Sequence, residues 1–137
     1  MKLYLAARYS RNEEMRGYRD DLVRRGHVIT SRWIDKHGGD LSESVAAEKL
    51  NTQPGEVVKY AVADCEDLNE ADVIISFTSK EGGGKGGRHI EFGLGLAMGK
   101  RTIVVGPREN IFHTLPVVEW YPNWGSFIRD AGMGFPK

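Results

Sequence analysis

Glu91 falls just inside the start of an otherwise apolar helical stretch, His89 to Gly99, and Asp64 falls within the apolar arc of another, Gly55 to Ala71. At about 100° per residue the second stretch collects Val57, Val58, Ala61, Val62, Cys65, Leu68 and Ala71 on one side. Glu56, Lys59, Glu66, Asp67 and Glu70 lie opposite, which leaves Asp64 as the charge among apolar neighbours. A carboxyl group there is expected to lose hydration, and that raises its proton affinity until it can hold or donate a proton near neutrality. Glu91, read as a first-turn residue, gains from the helix dipole and is expected to stay ionised and therefore nucleophilic. Such a pair suits glycosidic-bond chemistry, in which one carboxylate attacks the anomeric carbon while the other assists the leaving group. Plainer uses exist: Asp64 could pair with an arginine, and Glu91 could simply complement the dipole.

The loop before Glu91 carries Gly82, Gly83, Gly84, Gly86 and Gly87 around Lys85, between Lys80 and Arg88. Glycines let backbone N–H groups approach a ligand closely, and the cations favour an anion, so Gly84, Lys85, Gly86, Gly87 and Arg88 are candidate contacts for a phosphate or a polar sugar. Arg8, Tyr9 and Ser10, at the exit of the first strand-like run, are candidates for the same work, and His113 near Trp120 is a candidate wall of a base pocket. The run 82–87 also satisfies G-x-G-x-x-G, with Glu109 roughly 20 residues on, but it comes late in the chain and Glu91 would repel a pyrophosphate seated on that helix. No Gly-Lys-Ser/Thr follows to make a Walker loop, and His89-x-Glu91 lacks the Pro-Cys-x-x-Cys of a zinc deaminase. Cys65, the single cysteine, excludes an internal disulfide and a Cys-rich zinc site, and its place in the apolar arc reads as a small core residue. Neither a metal nor another cofactor is expected.

These residues need a scaffold that brings loops together. KLYLAARYS opens as a strand, 11–26 is helical, HVITSRW (27–33) reads as a strand, and 34–54 as a polar loop or flap with a short helix over Ser42 to Leu50. DVIISFT (72–78) and RTIVVG (101–106) are continuous apolar runs of the kind buried in parallel sheets; VVEWY and a helix from Trp124 to Ala131 follow. This alternation predicts one α/β domain over 1–137, a single doubly wound, flavodoxin/Rossmann-like parallel sheet with helices on both faces, with ligands at the strand carboxyl ends. With 19 basic and 19 acidic residues the charges cancel, so polymeric nucleic acid is not an expected partner. No apolar run approaches the roughly 20 residues that span a bilayer, and the expected setting is cytoplasmic, away from membranes.

The chain resembles the nucleoside 2-deoxyribosyltransferase family and its deoxynucleoside 5'-monophosphate N-glycosidase relatives. The resemblance is carried by KLYLAARYS, by Asp64 eight positions before Asp72 of EADVIISF, and by GGRHIEFGLGLAMGKRTIVV. It implies that Glu91 is the nucleophile forming a covalent glycosyl intermediate, that Asp64 is the assisting acid near the leaving base, and that Tyr4 is a first-strand tyrosine beside the nucleophile. The implied substrate is a small-molecule nucleoside or nucleotide. The implied assembly is a homodimer or higher homo-oligomer, with Trp120, Trp124 and Phe127 as candidate interface residues. Lys85 stands where transferases carry an acidic base-reading residue, and the Ser-Ile-Arg-Gly-Gly-Arg loop of the monophosphate hydrolases is not reproduced after the first strand. Transfer, hydrolysis and nucleotide binding without turnover therefore remain alternatives at this level.

Overall fold

A computed structural model of the chain describes residues 1–35, 43–80 and 86–133, with side chains of 43–47 left aside. Five parallel strands form one sheet: β1 (Lys2–Ala6), β2 (Val28–Ile29), β3 (Val73–Phe77), β4 (Arg101–Val105) and β5 (Val118–Tyr121), in the order β2-β1-β3-β4-β5. Between them run α1 (Asn12–Arg24), α2 (Glu43–Thr52), α3 (Pro54–Glu70), α4 (Gly87–Ala97) and α5 (Trp124–Asp130). Side chains alternate across a strand, so Ile74 and Phe77, three positions apart, serve opposite faces of β3. Ile74 lies beneath α4 at Gly95, whereas Phe77 stacks on Tyr18 of α1 at 5.2 Å, and Tyr18 stacks on Trp124 of α5 at 4.1 Å. The fold is thus the expected doubly wound, flavodoxin/Rossmann-like sheet with helices on both faces.

Four local readings are corrected. The expected strand 27–33 pairs only over Val28–Ile29, because side chains then take over the ladder's work. Leu5 donates its N–H to Ser31 Oγ at 3.1 Å and accepts from Trp33 Nε1 at 2.8 Å, which lets the chain turn away from β1 without orphaned backbone groups. On α3 the buried and half-buried residues are Val57, Tyr60, Ala63, Asp64, Asp67, Leu68 and Ala71, roughly a quarter-turn round from the apolar arc. Val58, Ala61, Val62 and Cys65 are consequently exposed, so Cys65 is no core residue. Phe127 is not free for an interface either, being buried in the chain's own core, whereas Trp124 is half-buried against that core and half-buried Trp120 donates its indole N–H to Gly106 at 2.6 Å.

Within the segment 34–54 the helix α2, Glu43–Thr52, stands close to the short one expected over Ser42 to Leu50, and residues 36–42 of the expected loop lie outside the described residues. Among the described residues no helix is long and apolar enough to cross a membrane. The fit of α4 to the sheet explains its small residues. A Cβ at Gly95 would stand 2.4 Å from Ile74 Cγ1, so glycine there sets the depth at which α4, and with it Glu91 one turn earlier, rests on β3.

Candidate functional site

The strand order reverses between β1 and β3, whose following connections leave in opposite directions, and the crevice at their carboxyl ends is where such sheets bind ligands. Tyr4 of β1 and Glu91 of α4 meet beneath that crevice. The Tyr4 side chain is wholly buried, and its hydroxyl donates a hydrogen bond to Glu91 Oε2 across 87 residues of sequence. Burial pushes the Glu91 carboxyl up from its ordinary range to about 8. The expectation of a dipole-ionised Glu91 is thereby overturned. The reason is burial, and the helix start adds to it: α4 begins at Gly87, not His89, which places Glu91 fifth in the helix, beyond the first turn where the dipole acts most strongly. At pH 7 the protonated form is therefore favoured.

Asp64 lies half-buried on α3, in the sheet-facing arc between the directions of Leu68 and Tyr60. The carboxylate fully buried on this helix is Asp67, which sequence patterning had put on the solvent side. It accepts from the Arg32 N–H at 2.9 Å and from Arg32 Nε at 2.8 Å, latching α3 to the turn 32–35. No periodic signal marks it, because a latch needs only one residue.

At the exit of β1, Arg8 and Tyr9 are half-buried, Tyr9 lies 6.2 Å from Trp33 ring to ring, and Ser10 is exposed. Arg11 bridges this exit to the next, donating to the Thr78 carbonyl at 3.2 Å while holding Glu14 through two contacts of 2.8 Å. Gly84 and Lys85 lie outside the described residues. Gly86, at φ 88°, adopts the left-handed conformation that precedes α4, and Gly87 is the first helical residue.

Arg88 is buried, and its Nη2 donates to both carboxylate oxygens of Glu109, at 2.9 and 2.7 Å. Its charge is therefore already committed within the protein. Burial alone would raise the Glu109 pKa, but the Ser79 N–H, Arg88 and His89 outweigh it and hold the carboxylate below its ordinary range. His113 is 1% exposed, accepts the Glu109 N–H on Nδ1 at 3.0 Å, and sets its ring edge-on to Phe92 at 5.0 Å. Burial and the neighbouring His89 lower its pKa, and at this depth it offers no surface to a base in this conformation. Glu109 was noticed in the sequence only as the tail of a dinucleotide fingerprint; its real partners are 21 and 20 residues earlier and no motif links them.

A crevice of about 500 Å³ opens beside this cluster, lined by Lys80, Arg88, His89, Arg108 and Glu109 among others. Arg108 lies over the Trp120 ring at 4.1 Å. Among the described residues no three His, Cys, Asp or Glu side chains converge to hold a metal ion.

Comparison with known proteins places the fold. No family model matches the chain, and no curated protein matches it. The solved structure of the CMP N-glycosidase BcmB from Clostridium botulinum is similar, with a TM-score of 0.59 over 98% of this chain and 100% of that one at 18% sequence identity. At that identity the likeness is one of fold.

Proposed function

We propose that this chain is an enzyme that breaks the N-glycosidic bond of a nucleoside or nucleotide, with Glu91 as the group that attacks the sugar. The observation that carries the reading is a carboxyl group enclosed at the switch point of the sheet and met there by a buried tyrosine hydroxyl. A merely structural glutamate would not need either. The fold-level likeness to a nucleotide N-glycosidase supports the same chemistry.

In the proposed reaction Glu91, once ionised, attacks C1' through one carboxylate oxygen. The C1'–N bond breaks, and its electron pair leaves with the base, assisted by a proton or hydrogen bond from Asp64. Water, or a second base, then attacks C1' and restores Glu91. Tyr4 holds the carboxylate oriented by its donated hydrogen bond. Hydrolysis of a nucleoside 5'-monophosphate and transfer to an acceptor base share every step but the last. Incubation with a panel of nucleosides and 5'-monophosphates, with and without a free base, followed by chromatography of the released bases, separates these outcomes. Binding of nucleotide with no product from any of them would leave a non-catalytic nucleotide-binding module.

Replacing Asp64 by Asn keeps the shape and removes the titratable proton. The expected result is a large fall in rate with natural bases and a smaller one with a substrate whose leaving group needs no protonation. Equal losses would assign Asp64 to structure.

A 5'-phosphate is the favoured substrate feature, met by the glycine-rich loop and by Arg8 and Ser10, since a monophosphate carries nearly two charges that backbone N–H groups and cations stabilise. Lys85→Ala should therefore raise KM for a monophosphate and leave the matching nucleoside almost unaffected, with the difference shrinking as salt rises. Arg88→Ala should behave differently and lower turnover of both substrates, because it strips Glu109 of its principal partner.

The reading includes a second copy of the chain. Val58 and Val62 of α3 and Ile90 and Leu94 of α4 are 55%, 52%, 64% and 40% exposed on two helices that touch, and these exposed apolar side chains are the proposed contact with that copy. Light scattering should give a dimer or larger homo-oligomer, and Val62→Lys with Leu94→Lys should give a monomer. A monomeric wild type would remove the assembly from the account.

A further inference from the structure

We infer that Glu109 is a positioning residue for the nucleophile, acting through the first turn of α4; the inference rests on the reading of Glu91 as the attacking group. The need for such a residue follows from how α4 begins. In sequence a run of glycines precedes it, and its N-cap residue is Gly86, in the left-handed conformation, which has no side chain to offer the first N–H groups. A first turn whose N-cap residue contributes no side chain is held less firmly, and fraying there would let Glu91, in the turn that follows, wander relative to a bound sugar.

Glu109 supplies the missing restraint from outside the helix. Its carboxylate takes Arg88 Nη2 at 2.9 and 2.7 Å and His89 Nε2 at 2.9 Å, and these are the second and third residues of α4. It also accepts the Ser79 N–H at 3.1 Å, at the exit of β3. One carboxylate thus joins the residue before the glycine-rich loop to the residues after it. The Arg88 and Glu109 side chains are only 3% and 11% exposed, so water competes weakly for these contacts.

Glu109 is itself held in place. Its own N–H donates to His113 Nδ1 at 3.0 Å, and two residues earlier the Pro107 carbonyl accepts from Thr78 Oγ1 at 2.6 Å. The His113 ring in turn meets Phe92 edge-on at 5.0 Å. The loop after β4 therefore grips α4 at Arg88 and His89 on one side of Glu91 and at Phe92 on the other. Displacing a reacting group by about an ångström costs on the order of a hundredfold in rate, so a restraint at this place acts on kcat.

The test uses Glu109→Gln, which keeps the shape but leaves Arg88 buried without its partner charge, and the double variant Arg88→Met with Glu109→Leu, which removes both charges and spares the fold if the single variant does not. Three readouts are taken on the full chain: far-ultraviolet circular dichroism, amide hydrogen exchange over residues 88–92, and steady-state kinetics on the substrate the wild type cleaves. The expected result is native secondary structure, exchange about tenfold or more faster across the first turns of α4, and kcat lower by about 10- to 100-fold with KM within about twofold. A folded double variant with unchanged exchange, or with unchanged kcat, overturns the inference. A rise in KM at constant kcat also overturns it and makes Glu109 a substrate contact. If the wild type cleaves no nucleotide, the reading of Glu91 fails by itself, while the exchange result still decides whether Glu109 holds α4.

Discussion

Glu91→Gln is expected to abolish turnover while making the protein more stable, and the two effects have one cause. Loss of an attacking group costs several orders of magnitude in rate. The stability gain follows from the Glu91 carboxyl, whose proton affinity burial raises from the ordinary 4.5 to about 8. Between those values the unfolded chain has released this proton and the native chain has kept it. Native protein then binds more protons than unfolded protein, so stability falls as pH rises through that window and levels off above it. Each tenfold change in proton affinity is worth about 1.4 kcal/mol, so the penalty by pH 8 is on the order of a few kcal/mol, less what residual contact with water relieves. Glutamine escapes the penalty and can still accept the Tyr4 hydrogen bond. Urea melts at pH 5 and pH 8 should show the variant little changed at the first and clearly more stable at the second. Equal stability at pH 8, or turnover above about a tenth of wild type, would contradict the assignment.

The pH dependence of kcat/KM carries the second large effect. Because the free enzyme holds Glu91 mostly protonated at neutrality, the rate should rise close to tenfold per pH unit below the transition and level off above about 8. Tyr4→Phe removes the hydroxyl that donates to Glu91, and a donor to a carboxylate favours its ionised form. The limb should therefore move to higher pH, and the plateau should drop by roughly tenfold or more, since a hydrogen bond to a charged group is worth about 1.5–3 kcal/mol. A profile already flat between pH 6 and 9 would show that Glu91 is ionised in the free enzyme. A limb that Tyr4→Phe leaves in place would separate the tyrosine from the carboxylate.

The parts of this account that were legible in the sequence are those where one periodicity dominates. VIISF and RTIVV are apolar at every position because β3 and β4 are covered on both faces, and the pattern announces a parallel sheet. The switch point could be anticipated because the order of elements already locates it, whereas Tyr4, in the middle of β1, is named by the family resemblance alone and Glu91 lies deeper in α4 than a first-turn residue. α3 was misread for a physical reason. An apolar arc says where water is unwelcome, and it does not distinguish the sheet from a neighbouring molecule, so Val58 and Val62 were assigned to the core they flank. The Glu91 pKa was misjudged because the burial that raises it depends on how α4 packs on the sheet, which a helix start read to within a few residues does not reveal. The Glu109 cluster was not legible because its partners Arg88, His89 and Ser79 converge only after two strands have paired.

The most direct test of the central claim is the configuration at C1' of the methyl glycoside formed when the enzyme turns over its substrate in buffered methanol. Attack by Glu91 followed by attack of methanol on the glycosyl–enzyme inverts that carbon twice, so the account predicts retention. Nuclear magnetic resonance of the product should show the β-anomer from a β-nucleotide. A product of inverted configuration would mean that solvent attacks C1' directly, and Glu91 would then not be the group that attacks the sugar.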